Sequence, residues 1–128
     1  MALTEQLRMS AKIAGFHWGF AMIDWNRIEE LREEVGAEDF EEVVDLFISE
    51  VEENIACLDD CDDRPCLEAR LHFLKGCALN LGFSAFSKLC HEQEATLAAN
   101  GADAVDLGRL RSTYTASKAE FLEHMAVV

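Results

Sequence analysis

An all-α fold is predicted: an antiparallel four-helix bundle with an additional N-terminal helix or extension. Three observations predict it. Apolar residues recur at steps of three and four along most of the chain, the period of a helix with one buried stripe. Punctuation is sparse, with one proline and seven glycines in 128 residues, which suits long helices joined by short turns. No segment alternates with the period of two that a half-buried strand requires. Half of the residues are hydrophobic, enough for one core, and the length is that of a single domain. The chain divides into an N-terminal extension, residues 1–22, and a helical bundle, residues 23–128.

In the extension, Leu3, Leu7, Ala11 and Ala14 can form one helical stripe. The following run Ile13 to Ile23 is apolar and aromatic, but shorter than the ~20 residues a membrane span needs. His17 interrupts it, and no clear small-residue cleavage site marks a secretory leader. The expectation is a helix that covers the bundle or joins two copies, with His17 in a structural role.

In the bundle, Asp24 can cap the first helix and Gly36 can end it. The second runs from about Glu38 to Leu58, with Phe40, Val43, Val44, Leu46, Phe47, Val51 and Ile55 as its apolar set. Asp59 to Pro65 is a polar loop. The third helix carries the stripe Leu67, Leu71, Leu74, Ala78 and Leu81, and Gly82 ends it. Ser84 is a suitable N-cap for the fourth, which closes at Asn100-Gly101. The last runs from Asp106 to about Met125, with Leu110, Tyr114, Phe121 and Met125 at helical steps and His124 as a solvated residue. Short connections make neighbouring helices antiparallel.

The third helix carries the chemistry. His72, Lys75, Gly76 and Leu79 share one helical spacing, about 100° round from the buried stripe. Residues at that angle face a surface. A neutral imidazole has a lone pair that can attack phosphorus and form a phosphohistidine. Lys75 is a mobile point charge suited to phosphoryl oxygens. Gly76 costs the helix about 1 kcal/mol relative to alanine, so its position wants a reason. Close approach of a partner beside His72 is one; close packing of a neighbouring helix is the other.

The segment His72-x-Leu74-Lys75-Gly76, followed by Leu81-Gly82, resembles the signature of histidine-containing phosphotransfer (HPt) domains of two-component phosphorelays. Ile23-Asp24-Trp25 with Ile28 to Arg32, Asp39-Phe40 with Val43 to Phe47, and Phe86, Leu89, Cys90 and Glu94 extend the resemblance to about residues 23–126. It implies that His72 is the phosphoacceptor, that Lys75 neutralises phosphoryl charge, and that Glu94 orients the imidazole or accepts a hydrogen bond from it. An exposed glutamate facing water is the alternative for Glu94. Gly76, Leu79 and Phe83 are candidates for the docking face of a receiver domain, although Leu79 and Phe83 can equally be core. Two residues depart from the family pattern: Gln93 stands where an apolar residue is frequent, and Cys77 replaces a small hydroxyl residue. The implied partners are response-regulator receiver domains, with a hybrid histidine kinase as a further candidate. The Mg²⁺ belongs to the receiver, and this chain needs no cofactor of its own. It lacks a glycine-rich nucleotide loop, so it is a covalent carrier without kinase activity of its own.

Charge and cysteines narrow the alternatives. The net charge of −14 repels nucleic-acid phosphates and anionic membranes. The acidic pairs Glu29-Glu30, Glu33-Glu34, Glu41-Glu42 and Glu52-Glu53 read as solvated helix faces, and no loop has EF-hand spacing. Arg70, Lys75 and Lys88 suggest a locally basic patch around His72. Five cysteines, an odd number, fit a reduced cytoplasmic protein, with Cys61 and Cys66 placed to oxidise across a loop. A metal-binding bundle using Cys77, Cys90, His91 and His72 is one alternative, without standard ligand spacing. A helical interaction module that relays nothing is the other.

Overall fold

The computed structural model describes residues 22–127. The extension therefore lies outside the described residues, apart from Met22. Five helices follow in order: α1 (Trp25–Val35), α2 (Ala37–Ala56), α3 (Arg64–Leu81), α4 (Ser84–Asn100) and α5 (Leu107–Val127). Short 3₁₀ turns at Leu58–Asp60 and Ala102–Ala104 precede α3 and α5. No strand occurs among the described residues. The all-α bundle is as expected: α2 to α5 are its long helices, and the shorter α1 leads into them.

Local chemistry sets the boundaries. The Asp24 carboxylate accepts from Arg27 N at 3.3 Å and caps α1. Gly36, at φ 89°, turns the chain directly into α2. Asp63, expected to be loop, caps α3 by accepting from Cys66 N at 2.9 Å. Pro65 falls in the first turn of that helix, where its missing N–H leaves nothing unsatisfied. Asp106 accepts from Arg109 N at 2.9 Å and caps α5. Ser84 is not the cap expected of it. It is the first residue of α4, and its hydroxyl donates to the Met22 carbonyl at 3.3 Å.

The core is one continuous cluster. Leu67, Leu71, Leu74, Ala78 and Leu81 are all buried, so the stripe read from α3 is the stripe the bundle uses. On α2, Phe40, Val44, Ile48, Val51 and Ile55 are buried, and Leu58 continues the line. Ile48 replaces Leu46 in the expected set. Leu46 lies 63 % exposed because it is two residues round the helix from both Val44 and Ile48. At the α4–α5 end the core is aromatic. Phe83 packs against Phe121, Tyr114 packs on both Phe83 and Phe86, and Trp25 stacks on Phe121. Such offset and tilted pairs are favourable beyond their area alone.

The two cysteines that flank the polar loop, singled out as able to oxidise, do meet. Cys61 and Cys66 are joined as a disulfide, with Cα atoms 5.5 Å apart, and Cys57, Cys77 and Cys90 are free. The polar loop turns back on itself before α3, which brings the two together. No helix among the described residues is long and apolar enough to cross a membrane.

Candidate functional site

The turn between α3 and α4 builds the site. Gly82 ends α3 in the left-handed region at φ 73°, ψ 18°. Its N–H bonds the Leu79 carbonyl at 3.3 Å, and Phe83 N bonds the Ala78 carbonyl at 2.9 Å, closing the last turn. A side chain is excluded on two counts. The backbone conformation is unfavourable for any other residue, and a Cβ would meet the Asp24 carbonyl oxygen at 2.7 Å. The Gly82 carbonyl in turn accepts from Asp24 N at 2.7 Å, which ties the start of α1 to the hairpin. Folding about this turn sets α4 beside α3 and brings Glu94 next to His72.

The His72 side chain is 74 % exposed. Its Nδ1 lies 3.5 Å from Glu94 Oε2, a contact at the outer limit of a hydrogen bond. Lys75 Nζ lies 2.9 Å from Glu94 Oε1. That pair is held by charge, since Oε1 is buried and no donor approaches it at hydrogen-bonding angles. Lys75 and Glu94 are each about four-fifths buried, at 22 % and 20 % side-chain exposure, so both are restricted while the imidazole is free. The three residues thus form one cluster with the ring outermost. Nδ1 faces the carboxylate, and Nε2 is on the far side of the ring.

Gly76 lies one helical turn from His72. Nothing lies within 4 Å of the position a Cβ would take there. No neighbouring helix requires this glycine, which removes the packing explanation and leaves an open surface beside the imidazole. Leu79, 58 % exposed, continues that surface. Phe83 does not. At 1 % exposure it is core, locked between Phe121 and Tyr114, and its place just past the α3–α4 turn points it inward. Of the two readings open for Phe83, docking face or core, the structure has core.

Residues of the preceding helix complete the surface. A groove of about 480 Å³ runs between α2 and α3 beside His72. Leu46, Phe47 and Glu50 line it from α2, and Phe73, Gly76, Cys77 and Asn80 from α3. Leu46 and Phe73 are exposed apolar residues that single-helix periodicity cannot explain. Phe73 stands out of register with the α3 stripe, and Leu46, counted in the apolar set of its helix, is about 200° from Val44 and Ile48. Cys77 is buried at the groove floor, where burial pushes its thiol above the ordinary range.

Two members of the expected basic patch have partners of their own. Lys75 is paired with Glu94, and Arg70 turns toward α2 to donate to Asn54 Oδ1 at 2.8 Å. Gln93 explains its own departure from the apolar pattern. It is buried, and its Oε1 accepts from Asp106 N at 2.8 Å, satisfying backbone at the entrance to α5. Among the described residues, no group of three or more histidine, cysteine or acidic side chains converges to hold a metal ion. In particular, Cys90 is wholly buried while His72 is exposed, so the Cys/His set does not meet.

Comparison with curated proteins and with solved structures returned no match. Comparison with family models returned one, the Hpt domain, over residues 26–125. The match spans α1 through α5 and includes His72, Lys75, Gly76 and Glu94. A match over most of the chain, on a helical hairpin that presents an exposed histidine, establishes that this chain belongs to the Hpt domain family.

Proposed function

We propose that this chain is a phosphorelay intermediate in which His72 accepts a phosphoryl group from a receiver-domain aspartyl phosphate and passes it to another receiver. The family implies phosphotransfer in two-component relays. The observation that carries the finer reading is the geometry of His72, an exposed ring with one nitrogen held toward a carboxylate and open space beside it.

The proposed step uses that geometry. The Glu94 carboxylate, 3.5 Å from Nδ1, favours the tautomer with its proton on that nitrogen and its lone pair on Nε2. Nε2 attacks phosphorus in line as the bond to the aspartyl oxygen breaks, and the bonding pair leaves with the receiver's carboxylate. The ring gains positive charge as the N–P bond forms, and Glu94 offsets it at Nδ1. Lys75, held at 2.9 Å from Glu94, is close enough to shift between that carboxylate and the incoming phosphoryl oxygens. The reverse sequence hands the group on. The receiver supplies the Mg²⁺ and the acidic pocket, and this chain supplies the nucleophile and the docking face. That face comprises Gly76 and Leu79 together with the apolar groove through Leu46 and Phe73. Its occupant is an apolar patch on a receiver. A hybrid histidine kinase is a candidate source of the first one, and the cytoplasm is the compartment this chemistry implies.

Incubation with a phosphorylated receiver should label the chain with an acid-labile, base-stable phosphate. His72→Gln should abolish the label while circular dichroism stays unchanged, because the ring is exposed. Label retained in that variant would move the acceptor elsewhere. Lys75→Ala should slow transfer or shorten the life of the phosphohistidine. An unchanged rate and lifetime would remove Lys75 from the mechanism.

A further inference from the structure

We propose that Cys61 and Cys66 form a reversible redox site, a dithiol that exchanges with a small-molecule disulfide and, once oxidised, ties the start of the His72 helix to the turn before it. The proposal is independent of phosphoryl transfer. Two backbone anchors place the pair. Cys61 ends the 3₁₀ turn Leu58–Asp60, its N–H bonded to the Leu58 carbonyl at 3.3 Å, and Leu58 is itself buried in the core. Cys66 sits in the first turn of α3 with its N–H held by Asp63 Oδ1 at 2.9 Å. Their Cα atoms are 5.5 Å apart, within the range that a disulfide spans without backbone movement.

Access separates this pair from the other cysteines. Both residues are half-buried, and the intervening Asp62, Asp63, Arg64 and Pro65 are all exposed, so the pair borders solvent even though Cys61 also packs against the core. Cys77 and Cys90 are buried. Burial raises both thiols, that of Cys90 to about 12, which leaves little thiolate to react at neutral pH. Cys57 is the remaining half-buried thiol and has no partner sulfur.

The exchange balances with a low-molecular-weight disulfide as oxidant. One cysteine thiolate attacks it and expels a small thiolate, giving a mixed disulfide. The second cysteine thiolate attacks the protein sulfur and expels the other small thiolate. Two electrons pass from the cysteine pair to the reagent, which leaves as two thiols carrying the two protons. The closed loop is short, with the cysteines five positions apart, so the bond restrains the unfolded chain modestly and acts chiefly at the N-terminus of α3.

The test is a thiol count on the full chain. The protein is incubated with oxidised glutathione, unfolded, alkylated with a maleimide and weighed. Three thiols should be alkylated after oxidation, and all five after reduction with a phosphine. Peptide mapping should join Cys61 to Cys66. The oxidised protein should melt on the order of 5–10 °C above the reduced one. Cys61→Ser and Cys66→Ser should each abolish that redox dependence. Five alkylated thiols after oxidation, a persistent glutathione adduct in place of the internal bond, or a link to a different cysteine overturns the proposal. So does a melting temperature that ignores the redox state, and this reading on the wild-type chain does not depend on how either variant folds.

Discussion

Gly76 is the residue whose stability and function point in opposite directions. It lies inside α3, where glycine costs about 0.5–1 kcal/mol relative to alanine. Nothing within 4 Å would obstruct a methyl group. Gly76→Ala should therefore stabilise the fold by roughly that amount, measured by urea unfolding, while lowering the rate of phosphoryl transfer from a receiver. A variant that is both more stable and equally fast would show that the open space beside His72 serves no partner. Glu94 behaves differently, because it holds Lys75 and faces Nδ1 of His72 at once. The sequence alone could name these residues from helical spacing and the family signature. It could not choose between a bonded and a solvated Glu94, since that depends on how α4 lies against α3.

At the scale of elements, the α3–α4 hairpin depends on Gly82. Gly82→Ala introduces a Cβ at 2.7 Å from the Asp24 carbonyl oxygen and forces a non-glycine residue to φ 73°. The expected loss is about 1–3 kcal/mol from backbone strain, with the steric contact added to it. Chemical denaturation should register that loss. The variant should also transfer phosphate more slowly, since the turn sets Glu94 against His72. A ΔΔG near zero would mean that the turn relaxes without disturbing α1. The helices themselves were legible because their stripes, Asp24 cap and Gly82 stop are local signals. Asp63 as a cap and Ser84 as a first helical residue were not. Several polar residues compete for such positions, and the winner depends on where the neighbouring helix arrives.

Across the whole molecule, stability is tied to pH through an exposed ion pair and a few buried side chains. Lys118 holds the Glu52 carboxyl below its usual range, with burial opposing and the Tyr114 hydroxyl, 2.9 Å away, adding to the effect. Its stabilising contribution is complete above the ordinary carboxylate pKa and is lost as pH falls through the depressed one. Burial pushes the Tyr114 phenol upward, with Glu52 reinforcing the shift, and burial pushes Cys90 to about 12. The stability from these groups is complete below their ordinary values and is lost as pH rises. Melting temperature should thus be flat between about pH 5 and 9 and fall on both sides. Tyr114→Phe should flatten both limbs, because it removes a donor from Glu52 and an ionisable group from the core. An alkaline limb unchanged in that variant would assign the loss to the buried Cys77 and Cys90 thiols.

Composition, periodicity and one short motif sufficed for the all-helical class, the buried face of α3 and the surface position of His72. These depend on a side chain's angle around its own helix, which the sequence carries directly. Tertiary structure alone decided that Phe83 is core, that Leu46 and Phe73 flank a groove, that Lys75 is paired with Glu94 and that Cys61 meets Cys66. Each of these is a contact between segments. Helical phase says which way a residue points, and only the packing of one segment on another says what it points at.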